Sequence, residues 1–299
     1  MMPTTSAASA AACLTWGKQM STAAANEADA GGHELRDLVT GLGRAFGGAL
    51  VFSLPMLMTM EMWELGFAME RWRLLLLLGS SLPMLMFLSH YSGFEATWGW
   101  KEDLRDVAIA YGIGLVSTGI LLAVLGVIGP GMNPPELVGK IVIHAIPAAL
   151  GALLGRSQFG QSEDEEQERE QSYGSELGIM AAGSLYLGLN VAPTEEMILI
   201  AFRMTDWQSL ALIALSLLLM HGFVFASEFK GSEATPDTPW WSAFLRFTAV
   251  GYAIALAISC YVLWTFGRFD GLSVSTALGV LVVLGFPAAI GAAAARLIL

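Results

Sequence analysis

The chain has 299 residues, 55% of them hydrophobic and only 14% charged, with a mean hydropathy of +0.60 and a formal net charge of −11. A soluble domain of this length carries about 25% charged residues, and 15 Lys and Arg that never form a basic patch exclude nucleic acid as a partner. Two distant cysteines, Cys13 and Cys260, provide neither a disulfide framework nor a metal-ligand spacing.

Residues 1–34 are Ala, Ser, Thr and Gly with little else, which predicts a disordered N-terminal tail, with Met20 as an alternative start. No basic start precedes a short apolar core there, so no cleaved signal peptide is expected. Beyond the tail, apolar runs of roughly twenty residues or more recur, long enough to cross a hydrocarbon layer of ~30 Å as helices. They predict an all-α membrane protein with about eight transmembrane helices, at 44–69, 73–94, 104–129, 137–156, 176–202, 207–229, 243–267 and 273–296. Between them stand "ERWR", "GWKED", "GPGMNPPE", an acidic run, "RMTDWQ", "KGSEATPDTPWW" and "GRFDG".

The runs repeat. The stretch 48–94 lies on 183–229 without a gap, and fifteen of the aligned positions are identical. The identities include Gly48/Gly183, Thr59/Thr194, Glu61/Glu196, Met62/Met197 and Trp72/Trp207. A longer loop then changes the register slightly. Beyond it "WKEDLR" (100–105) meets "WSAFLR" (241–246), Tyr111 meets Tyr252, and "PAALGALLGR" (147–156) meets "PAAIGAAAAR" (287–296). Shared leucine content does not reproduce Trp, Arg, Pro, Thr and Glu in one order. The expected organisation is two tandem parallel four-helix repeats, at 35–156 and 176–299, joined by an acidic cytoplasmic linker at 157–175. Four spans per repeat return the chain to its starting side, so both repeats point the same way. The linker, with "SEDEEQEREQS", reads as a solvated connector rather than a calcium site.

Basic residues near the span ends set orientation. Ten lie on the tail side and five on the other, which predicts cytoplasmic termini and linker.

The chemistry is concentrated in "LGLNVAPTEEMILIAF" (187–202), an apolar stretch holding Glu195 and Glu196. Glu196 has its repeat counterpart in Glu61, and each follows a Thr by two residues and precedes a Met. A carboxylate at helix-centre depth costs ~2.5–3.5 kcal/mol, so two equivalent acids near the outer third of the membrane call for a partner, water or a function. Pro193, which cannot donate a backbone hydrogen bond, frees a carbonyl beside Asn190, and Pro55 acts likewise before Glu61. Interrupted helices with free carbonyls and acids build cation sites. The expected ion-binding set is therefore Glu61 and Glu196, with Glu195, Thr59, Thr194, Asn190 and Glu64 nearby and Pro55 and Pro193 as helix breaks. The competing reading leaves these acids wet at the interface or paired with Arg71, Arg73 or Arg203.

Three histidines, His90, His144 and His221, fall in separate spans without repeat counterparts. With acids they would suit a metal-dependent hydrolase or, at mid-span His144, a proton relay, but no H-E-x-x-H spacing is present. The methionine run "PMLMTMEM" (55–62) could attract copper and reads better as adaptable packing. There is no phosphate loop and no nucleophile elbow.

The segments P-x-x-x-T-x-E-M-W (55–63) and A-P-T-E-E-M (192–197) resemble those of a family of multi-pass bacterial integral membrane proteins of uncharacterised function. The resemblance covers nearly all the chain after the tail; it implies a bacterial inner membrane and carries no assigned activity. The residues themselves point to a channel or transporter for an inorganic cation or proton, in the lipid bilayer, as a homodimer and without cofactor or metal. The rival classes are the intramembrane hydrolase and a membrane assembly protein that transports nothing.

Overall fold

The computed structural model describes residues 36, 39–92, 100–160, 173–228 and 240–298, and every element among them is helical. The expected tail and most of the acidic linker lie outside these residues. The first half contains α1 (39–57), α2 (Met60–Ala68), α3 (Arg71–Ser92), α4 (Trp100–Val124) and α5 (Pro134–Gly160). The second contains α6 (Tyr173–Val191), α7 (Glu196–Arg203), α8 (Asp206–Glu228), α9 (Trp240–Ala243) running through a π-helical turn (Phe244–Ala249) into α10 (Val250–Thr265), and α11 (Val274–Ile298). Among the described residues seven helices are long and apolar enough to cross a membrane, and α6 with α7 makes an eighth candidate.

Two of the expected spans are not continuous. The run 44–69 breaks at Met58 and Thr59, and the run 176–202 breaks between Val191 and Glu196, where α7 turns 91° away from α6. The reason is local. Pro193 lacks the N–H that would continue α6, whereas Pro55 sits inside α1, near its end. In both halves the turn is closed by a threonine. Thr59 Oγ1 donates to the Met56 carbonyl at 2.9 Å, and Thr194 Oγ1 to the Val191 carbonyl at 2.8 Å.

Element boundaries recur in the register read from sequence. The end of α2 at Ala68 matches the end of α7 at Arg203, and the start of α3 at Arg71 matches that of α8 at Asp206, both in the register that pairs Glu61 with Glu196. The end of α4 at Val124 matches that of α10 at Thr265, in the register that pairs Tyr111 with Tyr252. The start of α5 at Pro134 matches that of α11 at Val274, in the register that pairs 147–156 with 287–296. Gly126 and Gly131 follow α4 with φ of 72° and 91°, and Gly267 and Gly271 follow α10 with φ of 70° and 79°. Left-handed backbone is cheap only for glycine, so these two loops carry the same punctuation.

Close packing is built on small residues, as membrane helices require when lipid is as apolar as the protein. A methyl group on Gly48 of α1 would strike the carbonyl oxygen of Gly151 on α5; one on Gly183 of α6 would strike that of Gly291 on α11. Phe52 of α1 meets Tyr186 of α6 with ring centroids 4.7 Å apart. The core between these helices holds Met56, Leu57, Met62, Leu150 and Leu153, all fully buried or nearly so. Met58 and Met60 are exposed, so the methionine run divides between core and surface.

Candidate functional site at the paired helix breaks

The two breaks each follow a long helix, α1 in the first half and α6 in the second. Across them run the short helices α2 and α7. Each has a buried flank (Met62, Leu65 and Gly66; Met197) and an exposed apolar one (Met60 and Phe67; Leu199, Ile200 and Phe202). Exposed Trp72 and Trp207 begin α3 and α8 directly afterwards. Aromatic rings and amphipathic helices of this kind belong at the water–lipid boundary.

This placement changes the reason for the acids. Glu61 is partly buried, while Glu64, Glu195 and Glu196 are exposed. A bend of 91° between α6 and α7 means that Glu195 and Glu196 do not lie along one continuous span. Being exposed, they avoid the cost of burying a charge.

Near the second break stands Arg268, in the loop joining α10 to α11. One guanidinium nitrogen, Nη2, donates to the Pro193 carbonyl. Its Nε is buried and has no hydrogen-bond partner. Burial lowers the basicity of Arg268, and the fields of Glu195, Glu61 and Glu64 act in the opposite sense. An arginine so placed stays charged at any physiological pH. Among the described residues no direct ion pair joins Arg268 to these carboxylates, so the attraction acts through space. Three carboxylates acting on one guanidinium leave a net negative charge among these groups. Glu61 and Glu64 come from the first half, Glu195 and Arg268 from the second.

The acid gathered with Glu61 around Arg268 is Glu195. Glu196, the repeat counterpart of Glu61, is not among the groups whose field reaches it. Asn190 donates Nδ2 to the Tyr186 carbonyl at 2.8 Å, and its Oδ1 is buried without a partner. The hydroxyl hydrogens of Thr59 and Thr194 are engaged in closing their turns, which leaves each oxygen able only to accept.

Arg268 has no charged repeat counterpart and no motif that would single it out in the sequence. The available signal was "GRFDG", a charged pair bracketed by glycines where the first half has apolar "GVIGPG". Hydrogen bonding fixes the correspondence. Val127 N donates to the Leu122 carbonyl and Arg268 N to that of Leu263, in the same register that pairs Tyr111 with Tyr252. The guanidinium thus has valine as its counterpart.

The same loop grips the first half. Arg73 of α3 binds Asp270 at 3.0 Å and donates to the Trp264 carbonyl at 3.1 Å, with its guanidinium 5.5 Å from the Trp72 ring and 5.7 Å from that of Trp264. Arg71 reaches the Gly66 carbonyl at 3.5 Å and not the acids. Arg203 is exposed.

The histidines have separate surroundings. His90 lies 3.5 Å from Asp103, His144 bonds the Lys140 carbonyl, and His221 lies 3.0 Å from Thr248. Among the described residues no group of three His, Cys, Asp or Glu could hold a metal ion.

Comparison with curated proteins and with solved structures returns no match to this chain. A family profile does match, over residues 41–299, and its description is "Putative integral membrane protein (DUF2391)". With that match over most of its length, the chain belongs to this family of integral membrane proteins.

Proposed function

We propose that this protein transports a small cation, an inorganic ion or a proton, and that the acids at the two helix breaks form the mouth through which it enters. The observation that carries this reading is that Arg268, bound to the Pro193 carbonyl at the second break, feels the charges of Glu61 and Glu64 from one half and of Glu195 from the other. A ring of carboxylates concentrates cations and rejects anions. Carbonyl oxygens released at the breaks add neutral ligands of the kind that broken membrane helices offer. The reading also follows the expectation of two parallel repeats with cytoplasmic termini, which turns the mouth outward. Arg268 then acts as a tethered cation that holds the carboxylates together while no ion is present.

The test is flux into liposomes containing the purified full-length protein, measured for sodium, potassium and protons. Joint replacement of Glu61 and Glu195 by Gln is expected to lower cation flux at least tenfold at low ionic strength. Glu70→Gln serves as the control, because Glu70 is engaged by Trp72 and Arg73 instead. Wild-type flux in the double variant would remove the acids from the pathway. Absence of flux in the wild type, with a partner co-purifying in fixed ratio, would favour the assembly role.

A further inference from the structure

A second titratable site lies away from the mouth, inside the first half. Glu136, Lys140 and His144 follow one another at intervals of four along α5, on one face of the helix. Lys140 Nζ pairs with Glu136 at 2.7 Å. His144 is completely buried, and its Nδ1 is 2.7 Å from the Lys140 carbonyl oxygen. A carbonyl oxygen can only accept, so in the neutral ring Nδ1 carries the hydrogen and Nε2 keeps a bare lone pair. That Nε2 is buried and closes no hydrogen bond, and the Met56 backbone is the other main-chain group that acts on the ring. The neutral ring therefore leaves one nitrogen unsatisfied in a fully buried position.

The Met56 carbonyl belongs to the last turn of α1, at the first helix break. It already receives Thr59 N at 3.2 Å and Thr59 Oγ1 at 2.9 Å. We propose that His144 is a proton-binding site whose occupancy ties the first helix break to α5. The added proton comes from water and bonds to the Nε2 lone pair, with no bond in the protein broken. The imidazolium then donates from Nδ1 to Lys140 and from Nε2 to Met56, satisfying both nitrogens. Release of the proton restores the frustrated arrangement and loosens the turn that presents Glu61.

The charged surroundings are specific. On α5 itself the like charge of Lys140 is balanced by Glu136. On α2, Gly66 packs against Lys140, and Glu61 and Glu64 follow the break. From α3, Arg71 approaches Gly139. Gly114 and Gly119 of α4 face α5 near Ala145 and Ile141, and at that level α4 brings the buried hydroxyls of Ser117 and Thr118 with no charged side chain. The second half has no equivalent. In the register that pairs 147–156 with 287–296, Lys140 and His144 meet Val280 and Leu284. The site is therefore one per chain, and it stands whether or not the mouth carries ions.

The experiment reads the imidazole directly. Full-length protein with nitrogen-15 histidine is placed in lipid nanodiscs, and its ring nitrogens are followed by magnetic resonance during acidification. The His144 signal is assigned in a variant in which His33, His90 and His221 are replaced, so that His144 itself is untouched. The expected neutral form has hydrogen on Nδ1 and none on Nε2. On acidification both nitrogens become protonated, and the exchange of the Thr59 amide with solvent slows at least severalfold over the same pH interval. A hydrogen on Nε2 in the neutral form would overturn the proposal. So would a ring that stays neutral until the protein unfolds, or one that titrates without any response at Thr59. Should the triple replacement fail to fold, loss of one signal in His144→Gln supplies the assignment.

Discussion

Replacing Gly48 with alanine adds one methyl group where α1 crosses α5. That carbon would fall on the Gly151 carbonyl oxygen and lie 2.6 Å from the Gly155 Cα. Carbon atoms rest at about 3.5–4.0 Å, so the helices must part by roughly 1 Å or bend. Overpacking of this kind costs about 1–3 kcal/mol. Gly183 meets the same situation at the α6–α11 crossing, where a methyl would strike the Gly291 carbonyl oxygen and lie 2.5 Å from the Ala295 Cβ. Its replacement is expected to cost a similar amount. Gly79 is the opposite case, a helical glycine with nothing within 4 Å of an added methyl. Gly79→Ala should stabilise by roughly 0.5–1 kcal/mol, because alanine has less backbone freedom to lose. The assay is unfolding of the full-length protein in mixed micelles by a denaturing detergent, followed by circular dichroism. If Gly48→Ala behaves like Gly79→Ala, the α1–α5 approach is not as described. If Gly48→Ala destabilises and Gly183→Ala does not, the two crossings are not equivalent.

Other expectations follow from particular contacts. Arg296 and Glu176 form a pair at 2.9 Å with side chains only 8% and 6% exposed, and Arg296 also sits 4.0 Å from the Phe247 ring. Arg296→Gln should therefore cost about 3–5 kcal/mol in the same unfolding assay, while joint replacement of both by Met and Leu recovers most of the loss. Asp270→Asn removes a pair whose acid is 64% exposed, so its effect on stability is about 0–1 kcal/mol. Arg268→Gln should raise cation flux at low salt by making the mouth more negative. The difference should shrink as ionic strength rises and the Debye length falls toward roughly 3 Å at 1 M; a salt-independent change would point to altered packing instead.

Much of the architecture was readable because hydropathic length is a strong constraint. A run of apolar residues long enough to cross hydrocarbon has little alternative to a helix. What hydropathy does not register is a break within an apolar run. The stretch 44–69 has the composition of one long helix, yet it turns at Met58 and Thr59, where the Thr59 hydroxyl takes a carbonyl that would otherwise continue the ladder. The second break was foreshadowed by Pro193, whose missing N–H is visible in the sequence. The repeat pairs Glu61 with Glu196, whereas the acids whose charges reach Arg268 are Glu195, Glu61 and Glu64. A right-angle turn decides whether Glu195 or Glu196 joins Glu61, and no periodicity rule reaches across it. Arg268 was hidden for a different reason. Its closest partner is a backbone carbonyl, and backbone groups carry no sequence signature.

Asp270 is anchored to α3 by Arg73, while Arg268, two residues earlier, is anchored to the α6–α7 turn. The hairpin between α10 and α11 therefore works as a short crank with one pin in each half of the chain. If the halves tilt against each other, the crank cannot keep both pins seated, and the guanidinium must slide relative to Glu61 and Glu64. Such a rearrangement would redistribute charge beside the two helix breaks, without any additional moving part.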